Sequence, residues 1–155
     1  MTVTTNDANA TSHLPLLTAL RALAAEPNST ATMWHIADRQ AQLVREHLLP
    51  VAPEQVAGSL MTLIPTLHIT YVNDLPASGI SFWARGQWHI HLRTGHRIEL
   101  QLFTIMHEVK HIIDHPVRRK SNRRSGINWE SLANHFAAKV LVIESVCLTK
   151  AEGGS

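Results

Sequence analysis

The chain lacks the features on which several classes of protein depend. Its one cysteine, Cys147, provides no disulfide framework, so we expect a protein of a reducing compartment, the cytoplasm. No apolar run approaches the roughly 18 residues that a membrane-spanning helix needs. The first dozen residues are polar, with neither the basic start nor the apolar centre of a signal peptide. These absences argue against a secreted protein and against a membrane protein.

What is present is the composition of one globular domain. The 155 residues are 45% apolar and 17% charged, which allows a hydrophobic core and is unlike a disordered chain. We expect a flexible N-terminal segment at residues 1–30, a single domain at residues 31–145 and a C-terminal tail at residues 146–155.

The spacing of apolar residues divides this domain into helical and extended parts. A period of 3.6 residues predicts helices near residues 33–48 and 53–64. A period of two then predicts strands near residues 67–71, 80–84 and 88–92. Turn residues separate the strands, so we expect a small antiparallel sheet.

Two longer helices are predicted after the strands. The first is amphipathic from about Arg97 to Asp114 and ends before Pro116, and the second spans roughly Asn128 to Ile143. Together these elements predict an α+β fold in which the small antiparallel sheet packs on helices.

A short motif, His107-Glu108-Val109-Lys110-His111, lies inside the first of these two helices. Residues four apart share a helix face, so the imidazoles of His107 and His111 can converge on one metal ion. Glu108 lies to one side, where it can take a proton from zinc-bound water, whose pKa is roughly 7. The pattern predicts zinc-dependent hydrolysis, most often of a peptide bond. Because 11 of 155 residues are histidine, chance could produce this spacing, and a third ligand has to decide.

The best candidate for that third ligand is Glu130, 19 positions after His111 and near the start of the next helix. Two packed helices can place its carboxylate opposite the two imidazoles and leave one coordination position open. Asn134 lies one turn after Glu130 and can accept a hydrogen bond from a ligand imidazole. A plain first-turn carboxylate, stabilised by the helix dipole, is the alternative for Glu130.

Two further histidines compete for the same role. His115 continues the spacing, but two turns of straight helix place it about 12 Å from His107, too far to share one ion. It is better interpreted as a neighbour of the site or as a charged group at the helix C-terminus. His135 is the weaker rival, because it points roughly 100° away from the face of Asn134.

These residues carry a resemblance to a known family. Residues 103–115, FTIMHEVKHIIDH, and residues 130–138, ESLANHFAA, resemble the ImmA/IrrE family of metallo-endopeptidases, in which an FT-x-x-HE-x-x-H helix precedes E-x-x-A-N-x-FA-A. Ser78-Gly79-Ile80 and the predicted strand at 88–92 also fit, and the likeness extends over roughly residues 35–143.

The resemblance implies a zincin-like minimal metallopeptidase with zinc as its cofactor. It implies that His107, His111 and Glu130 are the zinc ligands and that Glu108 is the catalytic base. It further implies that the substrate is a partner protein, usually a helix-turn-helix transcriptional repressor encoded nearby. Regulation of a mobile element, a stress response or a toxin–antitoxin-like pair is the expected context.

Other residues are candidates for contact with the substrate. The strand at 88–92 is our expected edge strand, to which a substrate can add as a further strand. Lys110 replaces the glycine usual in the family, and its cation can hold a substrate carbonyl or carboxylate, or mark a degenerate site. The candidate donors to the oxyanion of the reaction are Tyr71, His89, His91 and His115.

Two other functions have to be weighed against the peptidase. Lys110 and the small size also fit a zinc-stabilised binding module that sequesters its partner without cleaving it. A basic run, formed by Arg118, Arg119, Lys120, Arg123 and Arg124, could contact nucleic acid. Because no aromatic residues are interleaved with it, we expect a solvated loop and no direct binding of nucleic acid.

Overall fold

The computed structural model describes residues 14–25, 32–48, 51–120 and 126–142. Within these ranges the chain is α+β, as predicted, with five helices and a three-stranded sheet. The elements are α1 (Leu16–Ala24), α2 (Met33–Leu48), α3 (Val56–Leu63), β1 (Leu67–Val72), β2 (Gly79–Ala84), β3 (Gln87–Arg93), α4 (Ile98–Lys120) and α5 (Trp129–Leu141). The expected C-terminal tail, Cys147 and the first dozen residues lie outside the described ranges. None of the described helices combines the length and apolar character that a membrane crossing requires.

The sheet is mixed, so the prediction of an antiparallel sheet is wrong for one of its two strand pairs. β2 and β3 are antiparallel and are joined by Arg85-Gly86, whose φ angles of 55° and 75° suit a tight hairpin. β1 pairs with β3 in parallel, with Leu67 opposite Trp88. The connection at residues 73–78 crosses the place that β3 later occupies beside β1, so that β2 begins on the far side of that place. A period of two is the same in both kinds of pairing, so the sequence pattern could not distinguish them.

The strand order also changes which strand lies at the edge. The order is β1-β3-β2, so β3 is central and hydrogen-bonded on both sides. The expectation that residues 88–92 form the edge strand is therefore wrong. β2 is an edge strand, and its residues also lie near the motif helix.

One face of the sheet packs against α4, which in turn packs against α5, and α2 covers α5. On β3, Trp88, Ile90 and Leu92 point into this core, while His89 and His91 alternate with them. The helical side of the core consists of apolar residues of α4 and α5, among them Ile105, Met106, Val109, Ile112, Ile113, Phe136 and Ala137. α4 is thus buried between the sheet and a second helix layer.

The first helix belongs to this core, although we expected a flexible segment at residues 1–30. Leu16 and Leu20 lie one turn apart on α1 and are buried in the main apolar cluster. The side chain of Gln40, in α2, donates to the carbonyl oxygen of Leu20 at 3.0 Å. The expectation is therefore wrong for Leu16–Ala24, because this short stretch has an apolar face that the core accepts.

α4 continues through Pro116 to Lys120, so the predicted end at Asp114 is wrong. Proline has no N–H, and the carbonyl of residue 112 therefore loses its usual helical partner. Arg21 of α1 replaces that partner, because its Nη2 donates to the oxygen of Ile112 at 2.8 Å. The guanidinium also lies 5.8 Å from the centre of the Trp88 ring.

This replacement predicts a coupling between Arg21 and Pro116. Arg21→Met keeps an aliphatic side chain near Trp88 but leaves the Ile112 oxygen without its donor, so we expect a loss of about 1–3 kcal/mol. Pro116→Ala restores an N–H for the same oxygen. In that background Arg21→Met should therefore cost clearly less. Urea unfolding of the four proteins measures the difference, and equal costs in both backgrounds would contradict this account.

Candidate metal centre

α4 and α5 bring three predicted ligand side chains together: His107 and His111 of the motif on α4, and Glu130 on α5. His107 Nε2 lies 3.0 Å from Glu130 Oε2, and His111 Nε2 lies 2.9 Å from Glu130 Oε1. The two Nε2 atoms are 3.1 Å apart. Among the described residues, these three side chains form a group that could hold a metal ion.

The ligand atoms of these side chains lie close enough together to bind one zinc ion. Tetrahedral zinc with bonds of about 2.0–2.1 Å separates its ligand atoms by roughly 3.3 Å. Two imidazoles and a carboxylate are also a ligand set of catalytic zinc sites, in which a fourth position stays open. Burial lowers the pKa of His111, which favours the neutral imidazole that a metal needs.

Local structure holds Glu130 and His107 in position. Asn128 caps α5, because its Oδ1 accepts the backbone N–H of Ser131 at 3.1 Å and so fixes the turn that carries Glu130. Asn134 Oδ1 lies 2.8 Å from His107 Nδ1, which is the contact predicted for this asparagine. A proton on Nδ1 leaves the Nε2 lone pair of His107 for a metal.

Glu108 lies beside this centre and has a partner that sequence reasoning missed. Its side chain is largely buried, and Ser81 Oγ donates to its Oε2 at 2.6 Å. Strand alternation predicts the face on which Ser81 lies but not the helix that it meets, so no sequence signal identified this contact.

An open cavity of about 540 Å³ connects the ligands, Glu108 and β2. Its polar lining includes Ser81 of β2 and Ser78 of the turn before β2. Its apolar lining comes from β2 and from the first half of α4. The lining residues are Ser78, Gly79, Ile80, Ser81, Leu100, Phe103, Thr104, His107, Glu108, His111, Arg118 and Glu130. One of them, Arg118, comes from the basic run that we expected to be a solvated loop. Arg118, Arg119 and Lys120 instead lie in the last turn of α4, whereas Arg123 and Arg124 fall outside the described residues.

The predicted oxyanion donors do not line this cavity. Tyr71 lies on β1 and is half exposed. His89 and His91 belong to the sheet face opposite the core, where His89 stacks on Phe82 with ring centres 5.1 Å apart. His115 packs its ring edge against Trp88 at 5.0 Å. These four expectations are therefore not supported by the positions of the side chains.

Lys110 also lies away from the cavity, and its expected role as a substrate contact is wrong. The side chain is fully buried, and Nζ donates to Asp114 Oδ1 at 2.6 Å and to Gln40 Oε1 at 2.7 Å. Burial lowers the pKa of Lys110 and raises that of Asp114. Lys110 thus belongs to the contact between α4 and α2, while the face of α4 that carries His107 and His111 lines the cavity.

His135, the rival ligand, points to a third region. Its Nε2 lies 2.6 Å from Asp38 Oδ1, and its ring meets Trp34 edge-on. This arrangement joins α5 to α2 and leaves Glu130 as the candidate ligand from α5.

No protein-family model matches the chain, and no curated protein matches it. The family resemblance therefore depends on the quoted residues alone, and their function has to be argued from the site.

The geometry predicts that the metal-free protein binds one zinc ion per chain. His111→Ala removes a donor atom and Glu130→Gln removes the carboxylate charge, so these two variants should weaken binding most. Asn134→Ala should weaken it by about 10–100-fold, because it removes the contact that orients His107. Competition with a chromophoric chelator measures these affinities. His115→Gln is the matched control and should bind zinc like the wild type; a loss as large as that of His111→Ala would refute this ligand set.

A second prediction concerns the close approach of β2 to α4. A Cβ at Gly79 would collide with Thr104 Cγ2, so Gly79→Ala should cost about 1–3 kcal/mol and disturb the contact between Ser81 and Glu108. Thr104→Ser removes that methyl group and keeps a hydroxyl for the carbonyl of Leu100. The double variant should therefore be more stable in urea than Gly79→Ala alone. Simple addition of the two costs would argue against the collision.

Proposed function

We propose that this chain is a zinc-dependent endopeptidase with a zincin-like fold. The observation that carries the proposal is the convergence of two imidazoles and a carboxylate on one point, beside the buried carboxylate of Glu108. Zinc held by His107, His111 and Glu130 would supply Lewis-acid chemistry, polarising a carbonyl and lowering the pKa of water. The same residues support membership of the ImmA/IrrE family as part of this proposal.

We assign Glu108 the role of general base. It takes a proton from the attacking water and later delivers it to the amine that leaves. The hydrogen bond from Ser81 fixes one carboxylate oxygen, so that the other oxygen can receive the proton. Ser81 is thus a positioning residue for Glu108.

The edge of β2 that pairs with no described strand is the proposed binding site for the substrate backbone. β2 pairs with β3 on one side, and residues 78–81 line the cavity. An extended segment of substrate can add to this edge through backbone hydrogen bonds and cross the site with chain on both sides of the scissile bond. The exposed side chains of Ile80 and Trp83, with 41% and 53% of their surface accessible, can contact its side chains.

The proposed substrate is a helix-turn-helix transcriptional repressor encoded beside this chain, and the proposed compartment is the cytoplasm. Both come from the family resemblance of the two blocks around His107 and Glu130. An intracellular regulatory partner also agrees with the single cysteine of the sequence.

Glu108→Gln tests this function directly. The variant should bind zinc like the wild type, because Glu108 is not one of the three ligands. It should cleave the adjacent repressor at least about 10²-fold more slowly, because it has lost its general base. Incubation of purified proteins, followed by mass spectrometry of the fragments, measures both the rate and the cleaved bond.

Two outcomes would contradict the proposal. Cleavage by Glu108→Gln at the wild-type rate would remove Glu108 from the mechanism. Tight binding of the repressor by the zinc-loaded wild type, without any cleavage, would identify a binding module that sequesters its partner.

A further inference from the structure

Hydrolysis of a peptide bond creates negative charge on the carbonyl oxygen, and that oxygen needs a hydrogen-bond donor. The residues that the sequence offered for this role lie on the sheet or beside Trp88, outside the cavity. The cavity nevertheless contains a strong donor that the mechanism above does not use. This donor is the guanidinium of Arg118.

Arg118 is close to the candidate ligands. It lies seven residues after His111, which on a helix corresponds to two turns along nearly the same face. Its Nη1 is 3.1 Å from His111 Nδ1, and it lines the cavity. The guanidinium also lies 5.8 Å from the centre of the Trp129 ring, which restricts its position.

The charges around the cavity favour an anion near Arg118. Glu108 and Glu130 are the carboxylates of the lining, and Arg118 is the lining residue with a permanent positive charge. Glu108 is rotated by about 100° from His107 and meets β2 through Ser81. Arg118 lies in line with the histidines, beyond His111. The base and the cation therefore approach the ligand group from different sides.

A ligand role for His111 would remove the contact between its Nδ1 and Arg118. A guanidinium can only donate, so the contact with Nδ1 requires that this nitrogen carries no proton. A neutral imidazole that binds a metal through Nε2 carries its proton on Nδ1. Two donors would then face each other, and Arg118 would exchange this contact for an acceptor in the cavity.

We propose that Arg118 is a catalytic residue that donates to the oxyanion of the tetrahedral intermediate; this inference rests on the proposed peptidase function. Water attacks the carbonyl carbon, a C–O bond forms, and the π electrons move to the carbonyl oxygen. The proton of the water goes to Glu108, and the N–H groups of Arg118 stabilise the negative oxygen. When the intermediate collapses, the C–N bond breaks and the amine leaves with the proton from Glu108.

The test uses the full zinc-loaded chain and a phosphinic dipeptide amide, whose only anionic oxygens are on phosphorus. Arg118→Ala should weaken its binding by about 10–100-fold, as expected for a lost charge-assisted hydrogen bond. Arg119→Ala is the matched control, because it removes the same charge from the same exposed turn outside the cavity. It should change the affinity by less than about twofold. Calorimetry measures both affinities, and zinc affinity should be unchanged in both variants.

Cleavage provides a second readout once a substrate is in hand. Arg118→Ala should lower kcat by about 10²–10³-fold with little change in KM, because the interaction forms only in the transition state. Arg118→Lys keeps the charge but loses the planar group, so it should recover part of that loss.

Three results would overturn the inference. Wild-type affinity of Arg118→Ala for the probe would do so, and so would an equal loss in Arg119→Ala. Weakened binding confined to a dipeptide with a free carboxylate would show that Arg118 recognises a carboxylate and not the oxyanion. A wild-type chain that takes up no zinc would refute the proposed function itself, which is a distinct result.

Discussion

The structure depends on one helix, α4, which meets a different partner on each of its faces. One face presents His107 and His111 to Glu130 of α5. Another carries Glu108, whose partner is on β2. A third is closed by the buried pair of Lys110 and Asp114 against α2. Because a helix fixes the angle between successive side chains, satisfying any one face sets the direction of the others.

The buried pair shows how a residue inside the motif can point away from the candidate metal site. Lys110 and His111 are neighbours in sequence but point about 100° apart, so one enters the core while the other reaches the cavity. Loss of either partner of a buried ion pair leaves an uncompensated charge, which typically costs about 3–5 kcal/mol. Lys110 therefore contributes to the packing of α4 on α2. Because Lys110 does not reach the cavity, its presence in the motif no longer favours a degenerate site.

The sequence predicts this site as far as helix geometry determines it. The spacing of His107 and His111, and the place of Glu130 near the start of the next helix, required no knowledge of the sheet. Ser81 and Arg118 were not predicted as site residues, because their roles depend on which strand lies at the edge and on how far α4 continues. Alternating residues predict a strand but not its partner, and proline predicts a helix end unless another group replaces the missing donor.

The hydrogen bond from Arg21 to the carbonyl of Ile112 connects α1, the described helix furthest from the motif in sequence, to the candidate site. The last turn of α4 carries Arg118, and it lies beyond Pro116. The helix passes this proline while Arg21 of α1 satisfies the carbonyl of Ile112, where the backbone donor is missing. α1 is in turn fixed by Leu16 and Leu20 in the core. A segment that we assigned to a flexible terminus thus supports the turn that holds the cation of the cavity, and a domain boundary drawn at residue 31 would remove that support.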